Sequence, residues 1–329
     1  MTSATLRLGI LMTVLLGLLF TNALCGSQET TKVLKQEGLL ADRPVERIEF
    51  SSGSQLEQII NGLNYTPESW QAGIREVPRL YLTDIPPRWR DKTSKEIDTT
   101  TKKRVFFRLL GPLILHSNEL IQAQRDKVQT IIAAIRKGEK IRQGDQTLLL
   151  EIAAAYQVAD GETDFVDKTL QDELLRRVDI LPPSLVLAQA AEESGWGTSR
   201  FAAQGNALFG MWTWGEEGVM PLQQRSGLGN YKIAAYETPL HSVMAYMQNL
   251  NTHQAYSELR ARRAELRKSG AKVTGWELAK TLTKYSERGQ AYVDSLHSLM
   301  KVNRLQPTDD AYLTDGPTIL LIPVGDGVN

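Results

Sequence analysis

Apolar residues recur at helical spacing through most of this chain, from about residue 101 to residue 305. This pattern is typical of amphipathic helices that share one core, and it predicts a mainly α-helical fold. The first predicted helix is long, with a disturbance near Pro112 and an end at Gly138. Further helices are predicted to begin near Asp145, Thr163 and Thr238.

The amino terminus resembles an export signal. Arg7 supplies a positive charge, an apolar run follows, and small residues surround Cys25, so residues 1–25 are predicted to be a signal peptide. An uncleaved membrane anchor is the alternative. If cleavage follows Cys25, the mature chain contains no thiol and no disulfide, because this is the single cysteine of the sequence.

The segments on either side of the helical region have a different composition. Residues 26–100 mix charged, Ser/Thr and Pro residues and are predicted to be a linker or a loosely ordered arm, with residues 77–90 extended on the surface of the helical domain. Residues 306–329 form a tail in which residues 319–322 are predicted to be one strand or a docking segment. We therefore expect residues 101–305 to fold as a soluble, active unit.

One predicted helix has unusually clear ends. Pro182 and Pro183 suit a first helical turn, where their missing N–H groups would be unpaired in any case, and Gly195 is a natural stop. The helix is predicted to run from Pro182 to Ser194.

Two carboxylates occupy the last turn of this helix. Glu192 and Glu193 face the negative end of the helix dipole and lie close to Trp196, and both influences favour the protonated carboxyl. A carboxyl that stays protonated near neutral pH can act as a general acid. Helical periodicity leaves open which of the two is buried, and two solvated glutamates with a core tryptophan are the alternative.

Four short motifs carry a family resemblance. In chain order they are Gln189 to Gly197, Asn206 to Gly210, Asn249 to His253 and Tyr285 to Gly289. Over roughly residues 178–300 the chain resembles the Bax-like N-acetylglucosaminidases of Gram-negative bacteria, which belong to glycoside hydrolase family 73. The resemblance implies a lysozyme-like fold and cleavage of the β-1,4 bond after N-acetylglucosamine in peptidoglycan. An exported member would work in the periplasm, tethered to the inner membrane if its signal is not cleaved.

The resemblance also assigns roles to individual residues. The family's general acid is the Glu directly before Ser-Gly-Trp-Gly, which is Glu193 here, with Glu192 as its neighbour. Tyr285 falls on the family's Tyr-Ser-x-Arg-Gly segment, so it is expected to contact the substrate or the transition state.

The stretch from residue 210 to residue 236 interrupts the helices and is predicted to form a loop or a small β-hairpin over the cleft. In lysozyme-like glucosaminidases a second carboxylate, where one is needed, lies on such a lobe. Glu217 is the candidate, with Glu216 beside it and Glu237 behind them, and a plain solvated charge is the alternative.

Aromatic and amide side chains are dense around these motifs. Sugar rings present apolar C–H faces to aromatic rings, and their hydroxyls need directional hydrogen-bond partners. The candidate substrate-binding residues are Trp196, Asn206, Phe209, Trp212, Trp214 and Tyr292. About half of such aromatics are expected to be core packing instead.

Charge and motif content exclude several other functions. Lys+Arg and Asp+Glu balance at 38 each, which argues against nucleic-acid binding. The sequence has no His-Glu-x-x-His, paired-Cys or Walker motif, so we expect no metal and no cofactor. The family resemblance implies that the partner is the glycan strand of peptidoglycan, and we expect a monomer. A lytic transglycosylase on the same fold and a non-catalytic peptidoglycan-binding scaffold are the alternatives.

Overall fold

The chain folds mainly into α-helices. The computed structural model describes residues 43–159, 163, 165–224 and 229–325, so the predicted signal at residues 1–25 lies outside the described residues. The predicted mainly α-helical class is confirmed, and the arrangement is consistent with a lysozyme-like fold. None of the described helices is both long and apolar enough to cross a membrane.

Twelve α-helices are present in the described part of the chain. They are α1 (Gly53–Gly62), α2 (Pro67–Gln71), α3 (Ser94–Glu96), α4 (Thr99–Arg136), α5 (Gln143–Ala155), α6 (Lys168–Arg177), α7 (Pro183–Ser194), α8 (Arg200–Gly205), α9 (Pro239–Thr252), α10 (Ser257–Lys268), α11 (Gly275–Ala279) and α12 (Gln290–Val302). A π-helical turn at Trp89–Thr93 and 3-10 turns at Gln254–Tyr256 and Gln306–Asp310 complete the helical elements of these residues.

Helix ends follow the predicted caps closely where the caps are strong. Helix α7 begins at Pro183 and stops at Gly195, which adopts the left-handed conformation. Helix α9 begins after Thr238, whose hydroxyl accepts from the N–H of His241. By contrast, α6 is capped by Asp167 rather than starting near Thr163.

Two helices form the centre of the molecule. Helix α4 runs through Pro112 as one helix, and its middle portion is buried on all sides, so packing offsets the backbone hydrogen bond that proline cannot make. Helix α7 is likewise buried along almost its whole length and packs against α4, α11 and α12. A helix buried all round lacks an amphipathic stripe, which is why periodicity could not orient its two glutamates.

Polar clamps hold the start of α7. Asn118 on α4 exchanges two hydrogen bonds with the backbone of Leu181, at 2.8 Å and 3.0 Å. Asp309 accepts from the N–H and the hydroxyl of Ser184, which satisfies a backbone donor in the first turn. Asp179 is buried and receives two hydrogen bonds from Arg267, each of 2.6 Å. These contacts fix the direction in which α7 projects its far end.

The structure differs from the predicted arm and tail. Strands β1 (Val45–Phe50), β3 (Leu80–Leu82) and β7 (Thr318–Pro323) form a three-stranded sheet with β7 in the middle, and both pairings are parallel. All three residues of β3 and all six of β7 are buried. Residues 43–100, predicted to be a linker or loosely ordered arm, instead contribute to the main core, and residues 77–90 are not laid on its surface.

Two small strand pairs complete the described chain. Strands β2 (Glu76–Val77) and β6 (Tyr312–Leu313) pair in parallel, which adds a second contact between the amino-terminal segment and the tail. Strands β4 (Trp212–Thr213) and β5 (Lys232–Ile233) pair antiparallel, as the predicted hairpin requires. The hairpin projects the side chains of Trp212 and Trp214 into solvent.

Candidate active site

A sharp turn follows the end of α7. Gly195, Trp196 and Gly197 have left-handed backbone angles, with φ of 57°, 59° and 74°. Glycine adopts this conformation freely, whereas a non-glycine residue does so at a cost of about 1–3 kcal/mol. The hydroxyl of Ser194 donates to the carbonyl of Ala190 and accepts from the N–H of Gly197. The turn is therefore held on both sides and fixes Trp196 next to the preceding carboxylates.

Glu193 is half-buried, as is Glu192, and differs from it in its hydrogen-bond partner. The Tyr292 hydroxyl donates to its Oε1 at 2.7 Å. Burial raises the pKa of Glu193, the Tyr292 hydrogen bond opposes that rise, the charge of Glu192 adds to it, and Arg288 lowers the pKa. Desolvation is the largest of these influences, so the carboxyl holds a proton at higher pH than an exposed glutamate would.

A chain of hydrogen bonds links Tyr246 through Gln189 to the hydroxyl of Tyr292. The Tyr246 hydroxyl donates to Gln189 Oε1, and Gln189 Nε2 donates to the Tyr292 hydroxyl at 3.0 Å. Because that hydroxyl oxygen accepts from the amide, its own proton is directed to Glu193. Gln189 and Tyr246 are fully buried, so water does not compete for these groups. The chain fixes the orientation of one donor toward one carboxylate oxygen.

The phenols around Glu193 are stacked and stay protonated. Tyr285 and Tyr292 are parallel, with ring centroids 5.2 Å apart, and Phe209 stacks on Tyr246 at 3.8 Å. Burial raises the pKa of Tyr246, Tyr285 and Tyr292 above the ordinary tyrosine range. They are therefore hydrogen-bond donors throughout the pH range in which a glutamate titrates.

Glu192 has a different environment. It accepts from Arg288 Nη1 and from the hydroxyl of Ser295 at 3.1 Å. Its charge is thus paired with a guanidinium, whereas Glu193 forms no ion pair within the part of the chain that the structure describes. Periodicity left the choice between the two glutamates open. In the structure they differ in their partners, which are Arg288 and Ser295 for Glu192 and Tyr292 for Glu193.

Trp196 is enclosed by residues from outside the predicted motifs. Its carbonyl accepts from Trp89 Nε1 at 3.0 Å, and Lys103 Nζ lies 5.1 Å from its ring centroid. Gly197 has a φ of 74°, a backbone conformation that favours glycine, and a Cβ built on it would lie in van der Waals contact with Trp89, 3.4 Å from Nε1. Trp89 belongs to the segment predicted to be a surface cover, and its role could not be recognised from the sequence.

The hairpin carries exposed aromatics and exposed carboxylates. Trp212 and Trp214 are 41% and 65% exposed, and Trp212 packs on Tyr231 with 4.7 Å between ring centroids. Exposed rings of this kind offer a platform for a sugar face. Glu216 and Glu217 are exposed on the same hairpin, and Glu237 is half-buried before α9. The charges that act on the pKa of Glu193 come from Glu192 and Arg288, not from these three carboxylates.

Two predicted substrate-binding residues lie in the core instead. Asn206 is 2% exposed, accepts from the N–H of Ile85 at 2.9 Å, and donates to the carbonyls of Tyr236 and Glu237. Phe209 is buried against Tyr246. The polar groups of Asn206 are already hydrogen-bonded to the backbone, and the ring of Phe209 is already packed against Tyr246. Both residues therefore contribute to the packing around the site and not to a surface that a sugar could contact. Tyr292 is also buried, but its hydroxyl reaches Glu193.

Two contributors to the site carry no signal of their own in the sequence. Tyr246 meets Gln189, and Trp89 meets the carbonyl of Trp196, only through the fold. Arg288 lies in the Tyr285 to Gly289 motif, but its pairing with Glu192 also depends on the fold. Within the described residues, no cluster of three or more His, Cys, Asp or Glu side chains could hold a metal ion. The arrangement can donate a proton from Glu193 and can orient a donor toward the carboxylate that remains.

Sequence comparisons relate this chain to known proteins. Residues 168–305 match the glucosaminidase family, described as mannosyl-glycoprotein endo-beta-N-acetylglucosaminidase. The chain is 36% identical over 207 residues to the protein bax of Escherichia coli (strain K12), a match that covers 62% of this chain and 71% of that protein. No solved structure matches. The family match contains Glu193, Gln189, Tyr246 and Tyr292, whereas the sheet strands β1, β3 and β7 lie outside it.

Proposed function

The chain belongs to the Bax-like family of glucosaminidase-domain proteins and is a glycosidase-type enzyme. On that premise we propose that it hydrolyses the β-1,4 bond after N-acetylglucosamine in peptidoglycan, with Glu193 as the general acid. The observation that carries the proposal is the environment of Glu193: a half-buried carboxyl with a raised pKa that meets a single oriented phenol. The substrate lies outside the cytoplasm, so the proposal includes export of a monomer by the signal at residues 1–25.

Proton transfer is the step that these residues perform. Protonated Glu193 gives its proton to the glycosidic oxygen as the bond to the anomeric carbon breaks. The carboxylate that forms accepts from Tyr292, whose hydroxyl is already directed to it by Gln189. A donor aimed at the place where charge develops needs no reorganisation during the reaction. Glu192 is not available for this step because Arg288 neutralises it.

The exposed hairpin supplies the rest of the proposed site. Trp212 and Trp214 are proposed to hold sugar faces, and Tyr285 is proposed to contact the reacting sugar beside Tyr292. Glu217, which is exposed on the hairpin, is the proposed second carboxylate. Comparing Glu217→Gln with Glu216→Gln tests this: a selective rate loss of about 10²-fold or more is expected for Glu217, and equal rates would leave attack to the substrate's acetamido group.

The bond that is cleaved can be read from the products. Mass spectrometry of fragments released from purified peptidoglycan is expected to show N-acetylglucosamine at the new reducing ends. Fragments that end in anhydro-muramic acid would instead assign the protein to the lytic transglycosylases. Binding of glycan by folded protein without any released fragment would assign it a scaffold role.

The hydrogen-bond chain predicts a change in pH dependence. Tyr292→Phe removes the donor that lowers the pKa of Glu193, so this pKa is expected to rise and the alkaline limb of the rate profile to move to higher pH. Tyr246→Phe should move it in the same direction by less, because a released Gln189 amide can turn its oxygen toward Tyr292 and draw away the proton.

The control for this prediction is Tyr236→Phe. The Tyr236 hydroxyl faces Met211 Sδ at 3.5 Å and takes no part in the chain. Its removal is expected to leave the pH profile in place. An unchanged pH profile in Tyr292→Phe, or a profile that moves equally in all three variants, contradicts the role assigned to the hydrogen bonds among Tyr246, Gln189 and Tyr292.

A further inference from the structure

A cleft of about 450 Å³ lies beside the helix that carries Glu193. It is bordered by the first part of α4, by Pro183 and Leu187 at the start of α7, and by the end of α12. Four cationic residues contribute to its walls: Lys103, Arg104, Arg108 and Arg304. The described residues that line it include no Asp or Glu, so the cleft is strongly basic although the whole chain has a formal net charge of zero.

Most of this positive charge is not neutralised locally. Arg104 pairs with Glu57 at 2.7 Å. Within the part of the chain that the structure describes, Lys103, Arg108 and Arg304 form no ion pair with a carboxylate. A concentration of one sign of charge in a cleft with low-dielectric walls attracts ligands of the opposite sign.

Arg108 is the most unusual member of this group. It is 8% exposed, its Nη1 donates to Asn61 Oδ1 at 3.2 Å, and its buried Nη2 has no hydrogen-bond partner among the described residues. Burial lowers its pKa, and the Tyr65 ring lies 5.7 Å from its guanidinium carbon. The charges of Glu57 and Glu68 oppose this fall in pKa, but among the described residues neither carboxylate forms an ion pair with Arg108. A buried guanidinium without a paired carboxylate is costly for a fold to keep, and a bound anion would reduce that cost.

One residue of the cleft also contacts the turn that follows the candidate acid. Lys103 borders it and places Nζ over Trp196, the ring that follows Glu193 in the turn. Along α7, Leu187 and Pro183 precede Glu193 by about 9 Å and 15 Å, and they lie roughly a quarter to a third of a turn away around the helix. The cleft therefore begins about 9–15 Å from Glu193 along the helix axis.

We propose that this cleft binds the carboxylates of the peptide stems that branch from the glycan strand. The inference rests on the proposed function, because that function supplies a substrate with such stems. A stem of three residues spans about 10 Å when extended, which matches the separation between the acid and the cleft. Guanidinium groups bind carboxylates through paired hydrogen bonds, and the rings of Trp70 and Phe107 in the cleft walls suit the aliphatic parts of a stem.

The test compares glycan strands that carry stems with the same strands after an amidase has removed them. We expect the wild-type chain to cleave the stem-bearing strands with the higher kcat/KM, and Arg304→Glu to lower that preference by roughly threefold to tenfold. The preference should also shrink as salt is added. Lys268→Glu, an equal change of charge at an exposed residue that does not border the cleft, is the matched control and should behave as wild type.

Direct binding separates this inference from the proposed function. Titration calorimetry of the full chain with the free stem tripeptide should show binding that is weakened in Arg304→Glu and retained in Lys268→Glu, even if no glycan is cleaved. Equal cleavage of both strand types by the wild type, or no binding of the tripeptide, overturns the inference while leaving the glycosidase intact. Binding of inorganic phosphate or of anionic phospholipid vesicles that depends on Arg304, without tripeptide binding, overturns it in favour of a phosphate ligand.

Discussion

Replacement of Glu193 by glutamine is expected to lower the rate of glycan cleavage by about 10²–10⁴ while the protein remains folded. The amide keeps the shape of the side chain and can still accept from Tyr292, but it has no proton to give to the glycosidic oxygen. The measurement is the initial rate of release of soluble fragments from purified peptidoglycan, with sedimentation of the protein on intact peptidoglycan as the assay of retained binding.

Glu192→Gln is the matched control for this prediction. It makes the same chemical change one position earlier in the helix, at a side chain that is paired with Arg288. An ion pair of this exposure contributes about 0.2–1 kcal/mol to stability, so a small loss of stability and a nearly normal rate are expected. Equal rate losses in both variants, at unchanged thermal midpoints, would show that Glu193 is not the acid.

Glu193→Gln has a second expected effect, on the stability of the fold. Folding raises the pKa of Glu193, so the native state gains stability from its proton below the unfolded pKa and loses that gain as pH rises through the folded pKa. Glutamine is neutral at every pH and suffers no such loss. Glu193→Gln is therefore expected to unfold at the same or a higher temperature than the wild type near neutral pH, with the difference vanishing in acid.

The parts of the fold that were predictable are those encoded locally. The limits of α7 follow from Pro183 and Gly195, and the start of α9 follows from Thr238, because caps act within one turn of the helix. The three-stranded sheet was not predictable in this way. Its strands lie far apart in the chain and pair in parallel, and the three residues of β3 are too few to show any period.

The candidate site also combines features encoded by adjacent residues with features that depend on how distant helices pack. The turn around Trp196 and the choice of Glu193 as the candidate acid depend on residues that are adjacent in the sequence, so the motif from Gln189 to Gly197 is enough to predict both. The partners that distinguish Glu193 from Glu192 come from other helices: Tyr246 on α9 and Tyr292 on α12. The direction of a hydrogen-bond chain depends on how these helices pack, and a motif in one helix holds no information about it.

Removal of the flanking segments is expected to unfold the protein, contrary to the expectation that residues 101–305 suffice. A fragment of those residues lacks β1, β3 and β7 and loses Asp309, which caps the first turn of α7. The missing core includes Leu80, Tyr81, Leu320 and Leu321, all 0% exposed. Each such side chain contributes about 1.5–3 kcal/mol by burial, and the total stability of a domain is only about 5–15 kcal/mol.

Point variants test this explanation without a truncation. Leu320→Ala, in the middle of the central strand β7, is expected to destabilise the full chain by about 2–5 kcal/mol, because it leaves a cavity in the core that packs against the sheet. Leu222→Ala removes the same atoms from a side chain that is 89% exposed, and its effect should be within about 0.5 kcal/mol. Chemical denaturation followed by circular dichroism measures both. If the fragment of residues 101–305 is soluble, folded and active, or if Leu320→Ala is as mild as Leu222→Ala, the sheet is an appendage and the stability of the active site does not depend on it.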